Sequence, residues 1–158
     1  MKYNLLRCFA DGGSRNNPGH SACGYVIKDE SNNIIFEGGQ YLGIKTNNQA
    51  EYRGLYDLLV KIKEFDCLNF KIYLDSQLVV NQVNTILISD YEKKFKCNIP
   101  ELRQLRDSCV EIINSYNKLG IKISINLIKR ELNSDADRIV NRILDKSLEE
   151  LRKSNSWN

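Results

Sequence analysis

Through the first third of the chain, apolar positions fall in short runs or alternate with polar ones, a pattern that predicts strands. Leu5 to Asp11 is one such run, and it ends in a turn-rich stretch, Gly12-Gly13-Ser14-Arg15-Asn16-Asn17-Pro18-Gly19. Ala22 to Lys28 and Asn33 to Leu42 predict two more strands, joined at Asp29 to Asn32 as a meander. After Thr46 the period becomes helical. Leu55, Leu58, Leu59 and Ile62 share one face, and Thr46 or Asn47 supplies the cap. Phe70 to Asp75 reads as a short apolar strand, and Ser76 to Val83 resumes helical spacing. Pro100 opens another helix, with Leu102, Leu105, Cys109, Ile112, Ile113 and Tyr116 as its buried stripe, and Gly120 ends it. Ile121 to Ile128 alternates as a strand. A last helix, starting near Asn133, is expected to bury Ala136, Val140, Ile143, Leu144 and Leu151.

The order β-β-β-α-β-α-α-β-α predicts an α/β fold with a five-stranded mixed sheet flanked by helices. Three strands form the antiparallel meander, and two parallel strands join through right-handed crossovers. Ligands in such sheets favour the carboxyl ends of strands, where crossovers diverge.

Composition narrows the classes. The 158 residues suffice for one domain with a substantial core. No run of apolar residues approaches a membrane span, and no signal peptide is visible, so the expected compartment is cytoplasmic, or nuclear in a eukaryote, and not secreted. The five cysteines, Cys8, Cys23, Cys67, Cys97 and Cys109, are scattered and never in a Cys-x-x-Cys spacing. Buried reduced thiols are therefore expected, without a disulfide framework or zinc site. A single histidine, His20, removes His-based metal sites and a Ser-His-Asp triad. The net charge of +3 is only a mild lean toward polyanions.

Four acids stand in notable places. Asp11 and Asp75 end apolar runs, while Glu51 and Asp137 lie in the first turns of helices. Each alone has an ordinary explanation, as a turn former or as charge at a helix start. Strand ends and helix starts share one rim of an α/β sheet, however, so the four can converge. Two carboxylates about 4 Å apart repel by roughly 4 kcal/mol at an effective dielectric near 20. Protons, basic partners or hard divalent cations would relieve that, and Mg²⁺ or Mn²⁺ suits an all-carboxylate set.

Taken together, four segments resemble the type 1 ribonuclease H family: Phe9-Ala10-Asp11-Gly12-Gly13-Ser14, Thr46-Asn47-Asn48-Gln49-Ala50-Glu51, Asp75-Ser76-Gln77, and Arg130 to Asn141. The resemblance spans Leu5 to about Ser147. It implies a ribonuclease H-like fold and a metal-dependent endonuclease that cuts the RNA strand of RNA–DNA hybrids. It also implies Asp11, Glu51, Asp75 and Asp137 as catalytic metal ligands for two Mg²⁺ ions, with Mn²⁺ as a substitute. Asp11 would bridge the ions, and the products would carry 5′-phosphate and 3′-hydroxyl ends. Asp135 is then a bystander. The implied substrate contacts are Gly12, Ser14, Asn16, Asn17, Asn47, Asn48 and Gln77, largely to 2′-hydroxyls, with Thr46 at a DNA-strand phosphate.

Two departures from the family pattern appear. Many members carry a His shortly before the last acid, but Ile128-Lys129-Arg130-Glu131 has none, as in a short-loop subgroup. Arg130 or Lys129 can neutralise a phosphate there, or Arg130 can pair with Glu131 or Asp135. Second, the stretch 91–98 is short and only modestly basic, unlike a long basic handle. The first implies lower activity or a lean toward Mn²⁺, and the second a weaker grip on substrate. The expected organisation is a free-standing catalytic domain over 1–152 and a frayed tail over 153–158. The expected partners are hybrid and possibly double-stranded RNA, with no membrane and no obligate protein partner, as a monomer. The rival readings are a non-catalytic hybrid- or RNA-binding module and a DNA-processing nuclease of integrase or resolvase type.

Overall fold

The computed structural model describes residues 2–89 and 96–155. The chain opens with β1 (Lys2–Tyr3), then the meander β2 (Leu6–Arg15), β3 (Gly19–Lys28) and β4 (Ile34–Lys45). Helix α1 (Asn47–Lys61), β5 (Asp66–Cys67), β6 (Asn69–Leu74) and α2 (Gln77–Ser89) follow. The chain closes with α3 (Pro100–Lys118), β7 (Lys122–Leu127), a 3₁₀ turn at Arg130–Asn133 and α4 (Ser134–Asn155). The main sheet has the order β4-β3-β2-β6-β7. The β2–β3 and β3–β4 pairs are antiparallel, and β2–β6 and β6–β7 are parallel. This is the mixed five-stranded architecture that the hydrophobic pattern predicts.

Alternation along the strands divides the core. Leu6, Cys8 and Ala10 of β2 lie opposite Tyr25 and Ile27 of β3 in a large cluster with α1, α2 and α3. On the other face, Ala22 packs beneath Val140 and Leu144 of α4. Each fully buried Leu or Ile contributes roughly 1.5–3 kcal/mol, so the α1 stripe of Leu55, Leu58 and Leu59 is a major anchor. The Tyr116 hydroxyl donates to the Leu59 carbonyl at 2.9 Å, fastening α3 onto α1. All five cysteines are buried and outside any disulfide. No helix among the described residues is long and apolar enough to cross a membrane.

Several elements differ from the sequence expectation. The strand ending at Asp11 in that reading runs on to Arg15, with Gly12 through Arg15 paired to Cys23 through His20. Only Asn16–Pro18 turns, with Asn16 at φ +70°. Gly12 serves a close approach instead of a turn: a Cβ there would fall 2.2 Å from the Ala50 backbone of α1. The third strand likewise extends to Lys45. The two-residue β1–β5 pair has no periodicity to betray it. Leu151 is exposed, because the last turns of α4 run past the sheet, while Ile139 lies buried against Gly24. Helix α4 continues to Asn155, and a Glu149–Lys153 pair at 3.1 Å sits in its last turns. Most of the 91–98 stretch, and residues 156–158 of the tail, lie outside the described residues.

Gly54, in the interior of α1, offers a test with a decisive sign. Helix propensity favours Ala there by about 1 kcal/mol. A Cβ at Gly54 would meet the Asp11 carbonyl oxygen at 2.6 Å, however. We therefore expect Gly54→Ala to lose about 1–3 kcal/mol in urea unfolding. A gain in stability would refute the close-contact account.

Candidate active site

The parallel pairing of β2 with β6 ends at Phe9–Tyr73. Beyond it β2 continues beside β3 alone, and β6 stops at Leu74. The sheet forks there, and Asp11 and Asp75 each stand two residues past the last pair. Helix α1 brings in Glu51. Its first turn is fixed by a reciprocal cap: Gln49 N–H donates to Thr46 Oγ1 at 3.2 Å, and Thr46 N–H donates to Gln49 Oε1 at 2.9 Å. Glu51 follows one turn later, next to the Ala50–Gly12 backbone contact that holds α1 against β2. Helix α4 brings Asp137 to the same mouth.

Oxygen atoms of Asp11, Glu51 and Asp75 lie within 4.8 Å of one another. Asp11 is only 6% exposed, and its Oδ1 accepts from the Gly12 N–H at 2.9 Å. Burial, and then the charge of Asp75, push the Asp11 carboxyl up to about 7 despite that hydrogen bond. Burial also raises Glu51 well above the usual carboxylate range, with Asp11 and Asp75 adding to it. Asp75 is raised by burial too, opposed by the facing Asn133 amide and by the charge of Arg130. Glu51 Oε2 is buried with no hydrogen-bond partner. An orphaned carboxylate oxygen amid crowded acids is a poor protein interior but a good donor set for a hard divalent cation. The residues fit Mg²⁺ or Mn²⁺.

A cleft of about 510 Å³ opens over these acids. It gathers Asp11, Glu51, Asp75 and Asp137 with Gly12, Ser14, Asn47 and Arg130. Asn47 Oδ1 accepts from the Ser14 N–H at 2.8 Å and the Ser14 hydroxyl at 3.1 Å. Its own N–H donates to Asn17 Oδ1 at 3.0 Å. Asn17 is thus tied to the rim without lining the cleft, and Asn16 sits exposed beside it at the turn. Thr46, Asn48 and Gln77 also lie outside the cleft wall, with the Thr46 hydroxyl committed to the helix cap. Arg130 lines the cleft and makes no ion pair with Glu131 or Asp135 among the described residues. Asp135 pairs instead with Lys28 at 2.7 Å and Arg138 at 3.9 Å. His20 contacts the Tyr41 hydroxyl at 2.6 Å and does not reach the cleft.

Sequence reasoning missed other members of the site. Arg15 lines the cleft and pairs with Asp145 at 2.6 Å. Asn141 lines it too, donating to the Asp137 carbonyl at 3.1 Å, and its place four residues after Asp137 on one helix face was the available signal. Asn133, inside the Arg130–Asn141 motif, lies buried beneath the acids.

The sequence pattern of the RNase H family matches residues 4–156. The chain is 33% identical to the ribonuclease HI of Halobacterium salinarum over 140 residues, 89% of this chain and 64% of that protein. It is 31% identical to the bifunctional protein Rv2228c of Mycobacterium tuberculosis, covering 86% of this chain and 34% of that one. The chain thus spans under two thirds of these curated relatives. Among solved structures, RNase H1 from Halobacterium salinarum superposes with a TM-score of 0.78 at 33% identity, covering 90% of this chain and 99% of that one. LC11-RNase H1 in complex with an RNA/DNA hybrid gives 0.74 at 31% identity, with the same coverage. A forked mixed sheet with buried acids at the fork, matched over nearly its whole length, makes this chain a type 1 member of the ribonuclease H family.

Proposed function

We propose that the chain hydrolyses the RNA strand of RNA–DNA hybrids, using two divalent cations held by Asp11, Glu51, Asp75 and Asp137. The observation that carries this is the trio of carboxylates within 4.8 Å of one another around the unpartnered Glu51 oxygen. Similarity to LC11-RNase H1, a protein crystallised with such a hybrid, supports the substrate class. When bound, Mg²⁺ or Mn²⁺ supplies Lewis-acid stabilisation and an activated water for in-line displacement, giving 5′-phosphate and 3′-hydroxyl ends.

The chain's own groups orient the substrate around that centre. Ser14 and Asn47 lock each other in place on one wall, leaving the Asn47 side-chain NH₂ without a partner among the described residues. Short, preset donors of this kind suit 2′-hydroxyls, which both donate and accept. Arg130, exposed on the opposite arm, places a permanent positive charge where a phosphate would enter. It takes the place of the histidine that many relatives carry, so this chain's pH profile reflects the acids alone.

The proton linkage has a definite sign. Asp11 holds its proton more tightly in the folded chain than unfolded, with an ordinary value of 3.8 raised to about 7. Its contribution to metal-free stability is therefore present below 3.8 and is lost as pH rises through about 7. Glu51 and Asp75 act in the same direction.

Two outcomes follow. In EDTA, the melting temperature falls as pH rises toward about 7, and either Asp11→Asn or added Mg²⁺ flattens that slope. A slope indifferent to both would remove the cation reading. With an end-labelled hybrid, wild type cuts the RNA strand in Mg²⁺ or Mn²⁺, not in EDTA, and Asp11→Asn cuts nothing. Binding without cutting in either metal would favour a non-catalytic module, and cutting of duplex DNA would favour a resolvase-type enzyme.

A further inference from the structure

We propose that Asn133 is a positioning residue that sets the spacing of the metal-binding carboxylates by bracing the fork between β2 and β6; the inference rests on the cation reading above. Asn133 ends the 3₁₀ turn Arg130–Asn133 and is 1% exposed. Its Nδ2 donates to the Ala10 carbonyl at 2.9 Å, across 123 residues of sequence. Ala10 is one residue past the last β2–β6 pair and directly precedes Asp11. The same side chain faces the Asp75 carboxyl on the other arm and favours its charged form against the effect of burial. One amide thus bonds the β2 arm and favours the charged acid on the β6 arm, at the point where the strand ladder has stopped holding them.

The orientation of that amide is fixed by chemistry. A backbone carbonyl and an ionised carboxylate both accept only, so the NH₂ end must face them. Its Oδ1 is left buried with no partner. An apolar residue would fill the space without an orphaned acceptor, and a carboxylate would oppose both neighbours. Only a doubled donor serves the two arms at once. The same short turn puts Arg130 in the cleft, so one four-residue element both fixes the acids and supplies the cationic rim.

A carboxylate whose angle and distance are held by such a partner binds a cation with less reorganisation. The test is calorimetric Mn²⁺ titration of the full chain without substrate, alongside hybrid cleavage. Asn133→Ala is expected to weaken Mn²⁺ binding by about 10–100-fold. KM for hybrid stays near wild type, and kcat recovers at saturating metal. Asn84→Ala is the control, since Asn84 Nδ2 makes the same kind of bond, to the Ile125 carbonyl at 3.0 Å, outside the cleft. It should lower the melting temperature and leave Mn²⁺ affinity alone. Should Asn133→Ala not fold, Asn133→Ser, which keeps one donor, must still bind Mn²⁺ more weakly than wild type. Wild-type affinity in a folded Asn133 variant, or equal losses in Asn84→Ala, would overturn the proposal. If wild type itself binds no Mn²⁺, the cation reading falls first and this inference with it.

Discussion

At Gly12 and Gly54 the backbones of β2 and α1 meet with no side chain between them. A Cβ on Gly12 would lie 2.2 Å from Ala50, and one on Gly54 would lie 2.6 Å from the Asp11 carbonyl oxygen. That contact brings a helix against the middle of a strand more closely than ordinary side-chain packing permits. Ala50, whose backbone meets Gly12, is fully buried. Because Asp11 and Glu51 adjoin the contact, their carboxyls are held together by the main chain itself. Longer side chains at the interface would separate them and relieve their repulsion, and the cluster would lose its character.

The second constraint is the end of the parallel ladder at Phe9–Tyr73. A sheet that stayed paired would leave no gap between the strands that carry Asp11 and Asp75. Divergence opens a notch with one acid on each arm and helices at both faces. The cost is visible in the raised carboxyls of Asp11, Glu51 and Asp75, each driven first by burial. Stability and ligand readiness thus pull in opposite directions at these positions, and the nearby glycines, the Thr46 cap and the Asn133 amide hold the arrangement against its own charge.

Much of this was legible in the residues. The change of period after Thr46, the Leu55–Leu58–Leu59 stripe and the alternating runs predict the elements because burial dictates their spacing. The four acids were visible as anomalies at strand ends and helix starts, and the resemblance grouped them. The Gly12-Gly13 pair misled, since glycine serves turns and close approaches alike, and local sequence does not distinguish the two. Asn133 escaped because an asparagine at a helix start looks like a cap, and its partner on Ala10 is remote in sequence. Leu151 fits the helical stripe, but periodicity does not reveal where the sheet beneath it ends. The fate of Arg130 depended on Asp135 choosing Lys28, a choice among exposed charges that pattern alone leaves open.

The five cysteines have a use that their burial creates. They sit on β2, β3, β5, α3 and just ahead of α3, and each is buried. Burial drives the Cys8 and Cys23 thiols far up and the Cys109 thiol up to about 12, so these three sulfurs present almost no thiolate. Alkylating reagents can then react only when a local segment opens. The rate at which each of these sulfurs is captured becomes a clock for the opening of its own element, one each on β2, β3 and α3.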